Sequence, residues 1–248
     1  MRQDEPTVRS YAVTHPGGTV VVPQPEGWDQ IVHASSGVMT VHTADARWVV
    51  PRHRAVWVPS GLTHTIELSG RVKLRSLYLR SGVAGIAGPD ARLIDVSPLL
   101  RELILQAVAD APLWLDRPRD ARLVGVLVDH LELLDDIALQ LPTPLDPRAV
   151  AVAEAILRDP GSSSTLAALA SDAGASVRTV ERAFRADTTM TLQQWRTRAR
   201  LLHALTLLAG GATVTSVAVS SGYSSPSSFG AAFKAELGVS PRAYLAAG

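Results

Sequence analysis

The second half of this chain contains a copy of itself. Leu166, Leu169, Ala170 and Gly174 recur 48 positions later as Val214, Val217, Ala218 and Gly222. After one extra residue the correspondence resumes at a spacing of 49. It pairs Val180 with Phe229, Phe184 with Phe233, Arg185 with Lys234, Thr191 with Ser240 and Trp195 with Tyr244. Self-similarity at such a period marks one supersecondary unit used twice. Each copy reads as a short helix, a turn entered at glycine, and a second amphipathic helix. The alanine lets the two helices approach closely. The glycine four residues later ends the first helix in a left-handed conformation that costs other residues roughly 1 kcal/mol or more. Ser176, and Ser224 or Ser225, then cap the second helix.

This is the physical logic of a helix-turn-helix. In the first copy Val177, Val180 and Phe184 face inward, leaving Arg178, Thr179, Glu181, Arg182 and Arg185 outside. An exposed face with three arginines on the second helix suits the DNA major groove and its flanking phosphates. One copy would be equally compatible with a helical bundle whose arginines are merely solvated. Two copies joined by one long helix, Leu192 to about Ala209, favour DNA: a rigid helix can hold two reading helices roughly 34 Å apart, the rise of one DNA turn. The charge agrees. Residues 1–146 carry 14 basic against 17 acidic side chains, net −3, whereas residues 147–248 carry 10 against 6, net +4, with all but one of the ten bases arginine.

Three prolines in Leu141–Pro147 place a linker at 141–147, between a domain spanning 1–140 and one spanning 148–248. The first eighty residues read as short Val-, Ile-, Trp- and Thr-rich strands: Val20–Val22, Gln30–His33, Val38–His42, Ala46–Val50, Val56–Val58, Thr63–Leu68 and Val72–Leu79. Turn signals such as Ser35-Ser36-Gly37, Pro59-Ser60-Gly61 and Ser69-Gly70 separate them, the pattern of an antiparallel barrel or sandwich over about 10–80. Helices are expected over about 97–139. Ser97-Pro98 starts the first, with Leu99, Leu100, Leu103, Ile104 and Ala107 as its apolar stripe. A second helix after Pro118 has a seam of Val124, Leu127, Leu131, Leu134 and Ala138. That seam serves either packing on its own barrel or contact with a second copy. The fold expected is α+β in two domains: an N-terminal antiparallel β-barrel followed by helices, then an all-α double helix-turn-helix, with motifs at about 167–188 and 214–237.

Composition removes several classes. With 46% hydrophobic and 19% charged residues the chain is not intrinsically disordered. It has no apolar run of 18 residues and so no membrane-spanning helix, and MRQDEPTVRS lacks the apolar core of a secretion signal, so a cytoplasmic protein is expected. The absence of cysteine excludes disulfides, thiolate zinc sites, iron–sulfur clusters and cysteine nucleophiles. No Gly-rich phosphate loop, Gly-x-Ser-x-Gly elbow or His-Glu-x-x-His is present.

Residues Leu166–Leu245, with LAALASDAGASVRTVERAFR, RARLLHALTLL and VAVSSGYSSPSSFGAAFKAELGVSPRAYL, resemble the AraC/XylS-type transcriptional regulators. The closing segment carries Gly222-Tyr223, Phe229, Phe233-Lys234, Gly238 and Ser240-Pro241 at the family's spacings. The first half resembles the cupin-like effector domain common in such regulators, through Arg54–Pro59 and Pro59–His64. The resemblance implies double-stranded promoter or operator DNA as partner, a small-molecule effector in the barrel, a homodimer, and RNA polymerase as a further partner if the protein is an activator. It places base-edge contacts on Arg178, Glu181 and Arg182, with Thr179 and Arg185 alongside. Arginine pairs with guanine and glutamate accepts from cytosine. In the second unit the matching positions are Pro226, Ser227, Ser228 and Ala231. Proline and alanine cannot read a base, so this unit is expected to dock on phosphate, through Ser225, Ser227, Ser228 and Lys234. Thr189 stands where the family usually has glycine. Arg196 and Arg200 share one face of the long helix, for phosphate or for intramolecular salt bridges, and Trp195 and Tyr244 are expected as core anchors.

Trp28, His33, Trp57 and His64 are the candidate effector-binding residues of the barrel. Arg52, His53 and Arg54 either grip a carboxylate or line a loop. The alternative is a metal-dependent cupin enzyme, an oxygenase or isomerase with an appended helical domain. Pro59-x-Gly61-x-x-His64 resembles the second cupin motif, but no His-x-His pair precedes it, and Glu26, His33 and His42 lack ligand spacing. No catalytic residue, metal or cofactor is therefore expected, and the chain is read as a regulator and not an enzyme.

Overall fold

The computed structural model describes residues 5–134 and 140–246, which form two compact units: Met1–Thr43 with Val50–Asp136, and Ala44–Val49 with Ile137–Gly248. The strands in chain order are β1 (Val8–His15), β2 (Gly18–Val20), β3 (Trp28–His42), β4 (Ala46–Pro51), β5 (Arg54–Val58), β6 (Thr65–Arg80), β7 (Arg92–Asp95), β8 (Glu132–Leu134) and β9 (Gln140–Pro142). In the first unit an antiparallel sheet runs β1-β6-β3-β5-β7-β8, with β2 also on β6.

Two expected turns are bends inside long strands. Gln30–His33 and Val38–His42 fuse into β3, and Thr63–Leu68 and Val72–Leu79 into β6. The register between them shifts twice, at Ala34/Ser36 and Ser36/Val38. Gly37, at φ 83°, sits at this bulge, where a Cβ would lie 2.8 Å from Val72 Cγ2 and 2.9 Å from the Arg71 carbonyl. Glycine marks a bulge and a close backbone approach here, which in sequence looks the same as a turn. The sheet also exceeds the expected 10–80 range. β1 buries only Val8 fully and so lacks an apolar signature, and β7 and β8 are too short to show one.

α1 (Pro98–Asp110) starts where expected, its Leu100 amide donating to Ser97 Oγ at 3.1 Å. Leu100, Ile104 and Ala107 are buried, whereas Leu99 of the expected stripe is 52% exposed. α2 (Pro118–Asp129) is shorter than expected: the chain leaves the helix at His130 and Leu134 belongs to β8. Ala138 lies outside the described residues. Val124 and Leu127 are buried in a core shared with Ile31, Ala55, Trp57, Leu77 and Ile94 of the sheet and Leu100 and Ile104 of α1, with Leu131 partly buried against it. That part of the seam packs on its own sheet, and burying each such side chain contributes about 1.5–3 kcal/mol.

The second unit holds α3 (Pro147–Arg158), α4 (Leu166–Asp172), α5 (Val177–Thr188), α6 (Leu192–Ala209), α7 (Val214–Ser220), α8 (Pro226–Leu237) and α9 (Pro241–Ala246). The proline-rich segment is fastened to it. β9 pairs with Ala46–Trp48 of β4, Leu141 is buried, and the Pro142 carbonyl accepts from the Trp195 indole at 2.8 Å. The amides of Leu145 and Asp146 donate to Asp187 Oδ2 of α5 at 2.8 and 3.2 Å. Asp146 then caps α3, and its bonds from Arg148 hold its carboxyl well below the usual carboxylate range.

Candidate nucleic-acid interface and effector pocket

The sequence repeat is a repeat of hydrogen bonds. Thr165 and Thr213 cap α4 and α7, accepting from the amides of Ala168 and Ser216 at 3.1 and 3.2 Å. Gly174 (φ 67°) and Gly222 (φ 77°) follow in left-handed conformation. In the first turn the amides of Gly174 and Ala175 bond to the carbonyls of Ser171 and Ala170. In the second, those of Gly222 and Tyr223 bond to Val219 and Ala218. Ser176 and Ser225 cap α5 and α8, Ser225 being the member of its pair that does so. Val180, Phe184, Phe229 and Phe233 are fully buried beneath these helices. Phe184 meets Trp195 edge-on at 5.4 Å and Phe233 meets Tyr244 at 5.7 Å, which makes Trp195 and Tyr244 equivalent anchors.

Packing one face of α5 this way turns its other face outward. Arg178, Arg182 and Arg185 are exposed, and none forms an ion pair among the described residues. Thr179 is half-buried, its hydroxyl 2.9 Å from Ser176 Oγ. Glu181, half-buried, also reaches the next helix: its carboxylate accepts from the Leu192 amide, the first of α6, at 3.3 Å. An unpaired helix N-terminus attracts a carboxylate. The same end is closed by a capping box between Thr191 and Gln194. In the second unit Ser225 and Ser228 form another capping box, their hydroxyls 3.2 Å apart, while Ser227 and Lys234 stay exposed.

The long helix contributes fastening. Arg196, 7% exposed, donates to the carbonyls of Ser164 (2.7 Å) and Ser162 (2.5 Å), and Arg200 to those of Pro160 and Ser162 (both 2.8 Å). Arg198 pairs with Glu236 at 2.5 Å. Arg196 and Arg200 are thus held within the chain, by backbone carbonyls in place of the salt bridges expected. With 18 residues α6 is about 27 Å long. At the end of α5, Thr189 adopts φ 59°, the left-handed conformation that Gly238 (φ 76°) supplies at the end of α8.

The four candidate effector residues fall on two faces of the sheet. A pocket of about 110 Å³ is lined by Trp28 and His64, together with Gln24, Gln30, Leu62 and Tyr78. Trp57 and His33 are not part of it. Trp57 is opposite Ile31 and His33 opposite Ala55, on the face covered by the helices. Side chains alternate along a strand, so Trp28 and Gln30 share one face of β3 and Ile31 and His33 the other. Burial lowers the His33 pKa to about 4 despite its bond to the Arg54 carbonyl. Parity along β3 was the sequence signal that could have separated Trp28 from His33 and found Gln30. Arg54 is paired with Asp95, which removes it as a free carboxylate grip, and burial and its flanking arginines lower His53 to about 4. Among the described residues no group of three or more His, Asp or Glu could hold a metal ion, and no helix is long and apolar enough to cross a membrane.

Two helix-turn-helix units on one connecting helix define a DNA-binding protein. Residues 169–247 match the family model described as a helix-turn-helix domain. The chain is 31% identical over 217 residues to the HTH-type transcriptional regulator NimR of Escherichia coli K12, covering 88% of this chain and 79% of that protein. It is 30% identical over 116 residues to the HTH-type transcriptional regulator RipA of Corynebacterium glutamicum, covering 47% of this chain and 35% of RipA. Among solved structures it is similar to the DNA-binding domain of AdpA in complex with a target DNA (36% identity, 42% and 93% coverage, TM-score 0.39). It is also similar to unsaturated fatty acid-bound ToxT from Vibrio cholerae (12% identity, 96% and 94% coverage, TM-score 0.40). The chain belongs to the AraC-type family of DNA-binding transcriptional regulators.

Proposed function

We propose that the protein reads a two-part DNA site chiefly through α5 and responds to a small effector held in its first unit, the sheet of that unit being a cupin-like sensing domain. The observation that carries the DNA reading is the bond-for-bond repeat of the two motifs, with three exposed arginines on α5 and none on α8. Arg178 and Arg182 are the base readers, Arg185 and Lys234 the phosphate contacts, and Thr179, Ser225, Ser227 and Ser228 shape the helix ends that meet the backbone. Glu181, on α5, joins the two base readers as a base-edge acceptor while one of its carboxylate oxygens holds the start of α6. The effector reading is supported by the pocket beside Trp28 and His64.

The domain reading assigns 1–140 to sensing and 148–248 to DNA. Its further parts are a regulator that is not an enzyme, that acts in the cytoplasm where its DNA is, and that works as a homodimer contacting RNA polymerase if it activates. Exposed Leu99 and Val126, on the helices of the first unit, support a second copy as partner.

Fluorescence anisotropy on the duplex upstream of its own gene tests the DNA reading, with a scrambled duplex beside it. The native duplex should be preferred, and Arg178→Ala/Arg182→Ala should abolish the preference at about 1–3 kcal/mol per lost base contact. Equal binding to both duplexes that only fades with salt would refute specific reading through α5.

A further inference from the structure

Gln30 and His64, which line the pocket of the first unit, each bury one atom that can only accept hydrogen bonds, and this limits the chemistry of its effector. The hydroxyl of Tyr78 donates its one proton to the Pro23 carbonyl at 2.7 Å. Gln30 can therefore reach that hydroxyl only with its amide N–H, Nε2 to Oη at 3.2 Å. The orientation of the amide is thereby set, and Gln30 Oε1 has no hydrogen-bond partner among the described residues.

His64 reaches the same state by another route. Its Nδ1 lies 3.2 Å from the Leu62 carbonyl, so Nδ1 carries the ring proton and Nε2 the lone pair. Gln24 holds the backbone of His64 from both sides, donating to its carbonyl at 2.5 Å and accepting from its amide at 3.2 Å. Burial lowers the His64 pKa, which keeps the ring neutral near pH 7. His64 Nε2 too has no partner among the described residues. The residues are 2% (Gln30) and 3% (His64) exposed.

The side-chain donors elsewhere in the lining are the Trp28 indole and the Thr63 hydroxyl, both neutral. Glu26 adds a carboxylate at the rim, and the lining includes no lysine or arginine. Arg9 and Arg80 stack on the Trp28 ring at 4.4 and 5.0 Å but do not line the pocket, and Arg80 is paired with Glu5. An unpaired buried acceptor costs about 1–3 kcal/mol, and a ligand recovers that only by bringing a donor. A carboxylate would set lone pairs against lone pairs without a countercharge.

We propose that this pocket takes a small group bearing hydroxyl or amino functions, donating one hydrogen bond to Gln30 Oε1 and one to His64 Nε2, and rejects carboxylates. The inference rests on the effector reading above and specifies its ligand class. A cavity of 150 Å³ holds benzene, so about 110 Å³ suits a molecule of roughly four heavy atoms, or one end of a larger one.

The test uses the full-length protein with ¹⁵N-labelled histidine and four probes of equal heavy-atom count: butane-1,2-diol, 1-aminobutan-2-ol, butyrate and 1,2-dimethoxyethane. The diol and the amino alcohol should move the His64 Nε2 resonance upfield. Gln30→Met should weaken them roughly tenfold, the worth of one good hydrogen bond. Butyrate and the diether should leave the resonance in place. If butyrate or the diether moves it as the diol does, the donor rule is overturned while the effector reading stands. If none of the four moves it, the pocket proposal and the effector clause fall together, and the anisotropy measurement still decides DNA reading alone. The wild-type titration is decisive even if Gln30→Met does not fold.

Discussion

Gly161→Ala should separate the two helix-turn-helix units without touching either reading helix. A Cβ at Gly161 would lie 2.3 Å from the Ser220 carbonyl oxygen and 3.2 Å from its carbon. Relaxed non-bonded contacts are near 3.5 Å, so Ser220, the last residue of α7, must retreat by roughly 1 Å. Both sides of this contact are backbone and cannot swing aside. The backbone at 161 is outside the left-handed region, so alanine adds bulk without conformational strain. Forced overpacking of this kind costs about 1–3 kcal/mol. The lower bound applies if Arg200 keeps its bonds to Pro160 and Ser162, the upper if it loses them.

Urea unfolding of the full chain reads the cost, and Gly230→Ala is the control. Nothing lies within 4 Å of a Cβ at Gly230 inside α8, so alanine there should stabilise by about 0.5–1 kcal/mol. On DNA, Gly161→Ala should weaken binding to a two-part site by about tenfold and leave binding to the α5 half alone unchanged. A Gly161→Ala protein that unfolds at the wild-type midpoint and binds both sites normally would refute the close approach as the device that fixes the spacing.

Other outcomes follow from single residues. Thr189→Gly should stabilise by about 0.5–1 kcal/mol in urea unfolding, since relief of left-handed strain of about 1–2 kcal/mol exceeds the added unfolded-state entropy; Thr189→Ala should show no gain. Arg196→Met should cost about 2–4 kcal/mol by the same assay, because the carbonyls of Ser162 and Ser164 lose charged donors, and Arg196→Lys should recover only part. His33 has a folded pKa of about 4 against 6.5 unfolded, so between these values the unfolded chain binds more protons. Its contribution is therefore full above pH 6.5 and falls by up to about 1.4 kcal/mol per unit, about 3 in all, down to pH 4. Urea midpoints from pH 7 to 4.5 should fall less steeply in His33→Gln than in the wild type.

The sequence showed the second unit almost entirely, because a repeat tests itself: an alanine, a glycine and a cap that recur with their spacing cannot all be accidental. It showed the first unit less well. Gly37 and Gly70 look like turns in a string of letters, yet both sit in long strands, and only the partner strand distinguishes a bulge from a hairpin. β1 and β8 draw their order from neighbouring strands, so their own residues carry little signal. The effector residues were chosen for side-chain type. Parity along β3 separates Trp28 from His33, and Trp57 of β5 pairs with Ile31 on the helix-covered face. Glu181 and Ser228 stand out in sequence by their positions in the family's pattern, which does not show that a helix end takes their polar atoms.

The unlike outer faces of α5 and α8 give the protein a direction on DNA. One end presents Arg178, Arg182 and Arg185, the other Pro226, Ser227, Ser228 and Lys234. A reader whose ends are chemically unequal recognises an arrow and not a palindrome. Inverting a single binding site in place would thus reverse which way the bound protein faces along the promoter, even though every base pair it contacts is still there.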